Sequence, residues 1–103
     1  LNPSRALTTS DTSVASSGHV VNARPGMVRR YGNYHWIDPG SDEGLAHTLA
    51  VIRDVLERYD VDGIHFDDYF YPYPESGWSF DDDATYAAYR SCTGWCARCT
   101  SWP

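Results

Sequence analysis

Residues 62–74 read DGIHFDDYFYPYP, and this stretch decides the predicted fold class. Its first half, 63–67, is short and mostly apolar, which is typical of a buried parallel strand. Asp67 and Asp68 lie where that strand would end and a loop would begin. Four aromatic residues then follow within five positions. The pattern predicts a strand that carries two carboxylates and several aromatic rings to one edge of a sheet.

A helix is predicted immediately before this strand, over residues 41–59. Apolar residues recur at spacings of three and four, which places them on one helix face. They are Leu45, Leu49, Ile52, Leu56 and Tyr59. Ser41 is the predicted N-cap of the helix. A helix that feeds a parallel strand forms the second half of a βαβ unit, so we expect an α/β fold.

The remaining segments give weaker patterns. Residues 1–18 are predicted to contain the end of one element and a long loop, and 19–40 are predicted to be irregular around a short extended piece at 34–37. A second helix is expected over 83–90, capped by Asp81 or Asp82.

Two residues in these segments are expected to stabilise the fold and not to bind a ligand. Trp36 and Asp38 are interpreted in this way, because Asp-Pro-Gly at 38–40 is typical of a turn that leads into a helix. His47 falls on the first helix and is expected to be exposed.

Composition limits the function classes. The chain has 103 residues, enough for one small domain. Its 14 acidic and 8 basic residues give a net charge of −6, which disfavours nucleic-acid binding because phosphate contacts need surplus Lys and Arg. No apolar run approaches the roughly 18 residues of a membrane span. The aromatic fraction of 15% is high and favours surfaces that stack on flat ligands such as sugars.

The carboxylates and aromatic rings at the predicted strand end suit a sugar. Ligands bind at the C-terminal ends of parallel strands. Aromatic rings can cover the apolar faces of a pyranose, while Asp accepts hydrogen bonds from hydroxyls or acts at the anomeric carbon. The alternative is that Asp67 and Asp68 only cap the next element and that the aromatic residues belong to the core.

Residues 62–74 closely resemble the glycosyl-hydrolase-like family ten, a group of bacterial barrel proteins. Residues 36–40 (WIDPG) and 2–5 (NPSR) resemble it too, with Ser4 in place of the family's aromatic residue. The resemblance covers residues 1–90. It implies a (β/α)8 (TIM) barrel that hydrolyses glycosidic bonds of a cell-wall or other extracytoplasmic polysaccharide, and therefore an exported protein.

A complete barrel of this kind needs about 250 residues. The chain is therefore expected to be a central slice with one to two βα units, and inactive as an isolated fragment. The competing hypothesis is a non-catalytic carbohydrate-binding protein.

Two further resemblances bear on which carboxylate reacts. Residues 62–67 are similar in spacing to the α-amylase pattern, whose last Asp is the nucleophile. That similarity implies Asp67 as nucleophile or stabilising carboxylate, although His65 replaces the pattern's Arg. The chitinase-type pattern is disfavoured, because its acid would fall on Tyr69. Asp68 should point to the opposite face, and it is expected either to bind a sugar hydroxyl or to support Asp67 from behind the site. Glu75 lies nearby, but we expect the general acid to come from outside this chain.

Six residues are predicted to contact substrate. They are Asn2, Arg5, His65, Tyr69, Tyr71 and Tyr73. Alternatively, His65 is a core histidine, and Asn2 and Arg5 close a loop.

No cofactor and no metal ion are expected. A metal-dependent deacetylase would also use two adjacent Asp residues, but it requires a His-x-x-x-His pair that the sequence lacks. The acidic run at 81–83 lacks the alternating oxygen ligands of a calcium loop.

The three cysteines lie in a tail of different composition, residues 91–103. Cys92, Cys96 and Cys99 have the spacing of a radical-SAM iron–sulfur motif, but only four residues follow them. We predict a divergent tail outside the domain at 1–90, produced by a reading-frame slip or the end of a partial gene.

Overall fold

The computed structural model describes residues 2–67 and 70–91. Its sheet has three short strands, β1 (Arg5–Leu7), β2 (Val28–Tyr31) and β3 (Tyr34–Ile37), in the order β1-β3-β2. Both pairings are antiparallel. The predicted extended piece at 34–37 is confirmed as β3, whereas the prediction of irregular structure is wrong at β2.

The β2–β3 hairpin depends on a two-residue turn, Gly32-Asn33. Tyr31 pairs directly with Tyr34 across it. Gly32 has a φ of +58°, a left-handed conformation that glycine adopts without steric cost. A short Gly-Asn connection of this kind matches the twist of antiparallel strands.

Gly32→Ala should destabilise the protein by about 1–2 kcal/mol, because an L-residue is strained at this φ. A Cβ there would also lie 2.7 Å from a Glu75 carboxylate oxygen, which would have to move. Urea denaturation of the two proteins measures the loss. Gly18→Ala is the matched control, since its Cβ would meet no atom within 4 Å. An equal loss in both variants would contradict this account.

Three helices accompany the sheet, α1 (Val20–Ala23), α2 (Asp42–Arg58) and α3 (Asp83–Arg90). Short 3-10 turns occur at Thr12–Val14 and Pro25–Met27. The helix predicted over 41–59 is confirmed as α2, with the Ser41 hydroxyl accepting the Gly44 N–H at 3.2 Å. The second helix is confirmed as α3. Asp82 occupies its N-cap position, but its side chain makes no capping hydrogen bond.

None of the helices in the described part of the chain is both long enough and apolar enough to cross a bilayer.

Five hydrophobic side chains form the core of the described residues: Val21, Met27, Tyr31, Trp36 and Ile37. The leucines of α2 do not join it, since Leu45, Leu49 and Leu56 are each more than half exposed. The buried residue of α2 is Gly44, where a Cβ would lie 2.8 Å from the Ile37 side chain. The helix therefore contacts the sheet through its first turn, and its apolar face is left uncovered within the described residues.

Asp38, immediately after β3, links separate elements from a fully buried position. One carboxylate oxygen accepts the Gly40 N–H at 2.9 Å and so forms the predicted turn. The other lies 3.3 Å from the Arg29 guanidinium and accepts the Thr85 hydroxyl at 3.0 Å. The structural interpretation of Asp38 is thus confirmed. Trp36 is also buried, as a structural role requires, although it borders a cleft described below.

The predicted parallel strand at 63–67 is wrong for the described residues. That segment forms no strand, and apart from half-buried Ile64 it is exposed. A strand needs a neighbour to accept its N–H groups and donate to its carbonyls. In the described part of the chain the three strands pair only with one another, so α2 is not followed by a strand of a βαβ unit. The described unit is α/β in content, with an antiparallel sheet.

Candidate functional site

A cleft of about 320 Å³ opens beside the central strand. We call it the aromatic cleft. The sheet contributes Arg5, Tyr31, Tyr34 and Trp36, and the loop after the described gap contributes Pro72, Tyr73 and Glu75. Tyr34 and Trp36 are two positions apart on β3, so they project to the same face. The rings of Tyr34, Trp36 and Tyr73 therefore meet at one opening.

Arg5 places a positive charge at the wall of the aromatic cleft. Its guanidinium carbon lies 5.9 Å from the centre of the Tyr34 ring and 5.5 Å from that of Trp36. These are cation–π distances, and they hold an exposed arginine over two aromatic faces. Its N–H groups are suited to donate to ligand oxygens.

Trp36, which lines this wall, carries a buried indole N–H. The residue is only 4% exposed, and its Nε1 has no hydrogen-bond partner among the described residues. A buried donor without a partner costs roughly 1–3 kcal/mol.

The loop carrying Glu75 is anchored to the hairpin. The Glu75 N–H donates to the Tyr31 hydroxyl at 2.6 Å. The Tyr31 ring in turn packs near Trp78 and Phe80, with ring centres 6.1 and 6.3 Å away. The carboxylate of Glu75 lies beside Gly32 and borders the aromatic cleft. The loop thus brings a carboxylate acceptor to the cleft that Arg5 also lines.

A second cavity of about 220 Å³ lies on the other side of Arg5. We call it the histidine cavity, because His19 and His47 line it together with Asn2 and Phe66. Arg5 borders both cavities, Phe66 borders this one and Tyr73 borders the aromatic cleft. Asp67, which directly follows Phe66, lines neither cavity.

The structure brings only some of the predicted site residues together. Arg5 and Tyr73 share the aromatic cleft. Asn2 lines the histidine cavity, and its Oδ1 accepts the Arg5 N–H at 3.2 Å, which is the loop-closing bond considered as the alternative. His65 and Asp67 are exposed and line neither cavity.

Tyr71 lies outside both cavities. Its ring meets Phe80 edge-on, with ring centres 5.2 Å apart. Burial raises the pKa of Tyr71 to about 12, with smaller contributions from the charges of Asp82 and Asp38 and a hydrogen bond to Asp82. The Tyr71 ring thus packs against Phe80, while 39% of the residue stays exposed, and its predicted contact with substrate stays a prediction.

Other predictions fall partly or wholly outside the described residues. Asp68, Tyr69 and the three cysteines, Cys92, Cys96 and Cys99, are among these.

His47 is half-buried against the histidine cavity, so the expectation that it is exposed is wrong. Within residues 2–67 and 70–91, no group of three His, Cys, Asp or Glu side chains is placed to hold a metal ion.

Sequence reasoning gave no substrate-binding role to five residues of the aromatic cleft, Tyr31, Tyr34, Trp36, Pro72 and Glu75. Tyr34 and Trp36 could have been found from their alternation on a predicted extended piece, which places both on one face. Glu75 carried no local signal, because its position depends on a hydrogen bond to Tyr31, 44 residues earlier in the chain.

Comparison with known proteins agrees with the resemblance noted in the sequence. A family model described as glycosyl hydrolase-like 10 matches residues 5–100. Glycosyl hydrolase YngK of Bacillus subtilis is 37% identical over 89 residues, which are 85% of this chain and 18% of that protein. Glycosyl hydrolase DigH of Escherichia coli is 37% identical over 62 residues, 60% of this chain and 14% of that protein. The chain spans less than a fifth of the length of these relatives. Since the family match covers most of its residues, the chain belongs to the glycosyl hydrolase-like 10 family.

Proposed function

We propose that this protein takes part in hydrolysing the glycosidic bonds of a bacterial cell-wall or other extracytoplasmic polysaccharide. The observation that carries the proposal is the aromatic cleft. Tyr34 and Tyr73, which are 38% and 67% exposed, offer ring surface for the apolar side of a pyranose. Arg5 donates to sugar oxygens, and Glu75 accepts from sugar hydroxyls. Membership of a glycosyl hydrolase-like family supports the same chemistry.

Asp67 is the proposed reacting carboxylate. As nucleophile it would attack the anomeric carbon, and as a stabilising group it would lie beside the oxocarbenium-like transition state. Asp67 is exposed and directly follows Phe66, a wall residue of the histidine cavity, which supports this role. Asp68 would bind a neighbouring hydroxyl. Glycosidases need a second carboxylate about 5–10 Å away, and we propose that the general acid comes from outside this chain.

The intact protein is proposed to be a (β/α)8 barrel, of which this chain forms a central slice. Two observations support this. The chain covers 18% of the relative from Bacillus subtilis, and α2 leaves a face of large apolar side chains exposed. Such a face is normally covered by a neighbouring layer of the fold. The isolated slice should accordingly be inactive.

Tyr73→Ala tests the sugar-binding role of the aromatic cleft. The intact protein would be assayed for reducing-sugar release from hexasaccharides of glucose and of N-acetylglucosamine. Loss of one stacking ring should raise KM about tenfold on the hexasaccharide that is cleaved, since about 1.4 kcal/mol of binding corresponds to a factor of ten.

Tyr59→Ala is the matched control for this substitution. Tyr59 is 63% exposed and Tyr73 is 67% exposed, but Tyr59 does not line the cleft. Its KM should stay unchanged. Equal KM values for Tyr73→Ala and the parent protein would contradict the proposed site.

A non-catalytic carbohydrate-binding protein is the second candidate. It is favoured by one observation, that the described carboxylate in the aromatic cleft is Glu75 while Asp67 does not line it. Saturable hexasaccharide binding that Tyr73→Ala weakens, with no reducing ends released, would establish this candidate in place of the hydrolase.

A further inference from the structure

The cleft loop, residues 70–82, forms one side of the aromatic cleft without a helix or strand of its own. It brings Tyr73 and Glu75 to the cleft. Inside the loop the Trp78 N–H donates to the Glu75 carbonyl at 3.1 Å, in a turn that contains Gly77 at a φ of +81°. Because no helix or strand fixes Tyr73 and Glu75, their positions depend on how the loop is attached to the rest of the protein.

The second half of the cleft loop packs on β2. Arg29 donates from Nε to the Asp81 carbonyl at 2.5 Å. The guanidinium carbon of Arg30 lies 5.6 Å from the centre of the Trp78 ring, a cation–π distance. The centre of the same ring lies 6.1 Å from that of Tyr31. Three consecutive residues of β2 therefore contact this half of the loop, so β2 is its support.

The first half of the cleft loop, which lines the cleft, is joined to the same strand through Tyr31. The Tyr31 hydroxyl accepts the Glu75 N–H at 2.6 Å, which is short for a bond of this type. Tyr31 is only 4% exposed, and it pairs with Tyr34 in the hairpin. Its hydroxyl is therefore carried by a buried ring on a paired strand. The backbone of Glu75 is thus bound to a point that the sheet fixes.

Gly32, the next residue of the hairpin, makes room for the other end of Glu75. A Cβ on Gly32 would lie 2.7 Å from Oε2 of the Glu75 carboxylate. The carboxylate thus packs against a glycine backbone, while Tyr31 accepts the N–H of the same residue. Both ends of Glu75 are placed by neighbouring residues of the hairpin, and Tyr73 lies two positions earlier in the loop. A change at Tyr31 should therefore displace both cleft residues.

We propose that Tyr31 is a positioning residue for sugar binding, and that its hydroxyl holds the cleft loop in place through Glu75. The inference rests on the proposed sugar-binding role of the aromatic cleft. With 4% of its surface exposed, Tyr31 offers little area to a ligand, so it acts through Tyr73 and Glu75. Without this hydroxyl, the sugar would have to order the loop on binding, and ordering costs affinity. The bond is the same before and during the reaction, so its loss should raise KM and leave kcat nearly unchanged.

Tyr31→Phe tests the proposal, because it removes the hydroxyl and keeps the ring that packs near Trp78. For the hexasaccharide that the intact protein cleaves, we expect KM to rise about fivefold and kcat to stay within about twofold. Tyr86→Phe is the matched control, since Tyr86 is 56% exposed on α3 and does not line the cleft. Its KM should not change. An unchanged KM for a Tyr31→Phe protein that thermal denaturation shows to be folded would overturn the proposal.

A combined variant separates positioning from direct contact with the sugar. In a protein that already carries Tyr73→Ala and Glu75→Ala, the cleft loop no longer presents these side chains, so its exact position should not affect sugar binding. Tyr31→Phe should then leave kcat/KM within about twofold. A further loss of about fivefold in that background would mean that the Tyr31 hydroxyl binds sugar itself, which would overturn the positioning role.

Hydrogen–deuterium exchange of the intact protein without sugar gives a readout that does not depend on the proposed function. Tyr31→Phe should speed exchange of the Glu75 amide about tenfold, and Tyr86→Phe should not. Unchanged exchange would show that the bond does not hold the cleft loop and would overturn the inference. A parent protein that neither binds nor cleaves the hexasaccharides would refute the proposed function, and with it the role of Tyr31 in sugar binding, even where exchange shows that the loop is held.

Discussion

Asp67→Asn is expected to lower kcat for glycosidic hydrolysis by about a thousandfold or more, with little change in KM. The amide has the same shape as the carboxylate, so sugar binding should persist. It cannot form a glycosyl–enzyme bond, and it does not balance the positive charge of an oxocarbenium-like transition state. Such an interaction is made only in the transition state, so its removal lowers kcat and kcat/KM together. Reducing-sugar release by the intact protein measures the effect.

Asp62→Asn is the matched control for that experiment. It changes the same functional group five residues earlier in an exposed position of the same segment. Its kcat should stay within about twofold of the parent value. If Asp67→Asn retains more than a tenth of the parent kcat, Asp67 does not react with the sugar. The nucleophile would then have to be sought elsewhere in the intact protein.

The helices can be predicted from the sequence because the interactions that define them form between residues close in the chain. Ser41 caps α2 through a bond to Gly44, three residues away, and an apolar period of three and four marks the helix body. These interactions form between neighbours in the chain, whatever surrounds them. The spacing of the apolar residues does not show which part of the protein covers the apolar face of α2. Leu45 and Leu49 therefore identify the helix correctly, although both are exposed in the described structure.

Strand prediction failed where pairing is decided by distant residues. The apolar run at 63–67 suits a strand, but a strand forms only when a neighbouring backbone satisfies its N–H and carbonyl groups. The β2–β3 hairpin was missed for the opposite reason. Its turn, Gly32-Asn33, is a recognised hairpin signal, but the polar Arg29 and Arg30 obscured the strand before it.

The candidate site was only partly visible for the same physical reason. The aromatic cleft joins residues near positions 5, 31–36 and 72–75, and no local pattern relates these segments. Arg5 and Tyr73 were found through the family resemblance and the aromatic run. Glu75 required knowledge of the Tyr31 contact. The family can thus be predicted from the sequence alone. Which side chains lie together in the aromatic cleft can be seen only in the structure.

Asp38→Ala is expected to cause a large loss of stability, about 3–5 kcal/mol. Asp38 is fully buried, and it is the counter-ion of the Arg29 guanidinium at 3.3 Å. Removing one partner of a buried ion pair leaves the other charge uncompensated. The Gly40 N–H and the Thr85 hydroxyl also lose the acceptor that Asp38 provides. Urea denaturation of the intact protein, followed by tryptophan fluorescence, measures the change.

Asp54→Ala separates this effect from the mere loss of an ion pair. Asp54 pairs with Arg58 at 2.7 Å, closer than Asp38 to Arg29, but both side chains are more than half exposed. Exposed pairs contribute at most about 1 kcal/mol, so this control should remain near the parent stability. Equal losses in the two variants would show that burial of Asp38 is not what makes it important. Arg29 would then be held by its bonds to the Gly26 and Asp81 carbonyls, at 2.8 and 2.5 Å, without needing a counter-ion.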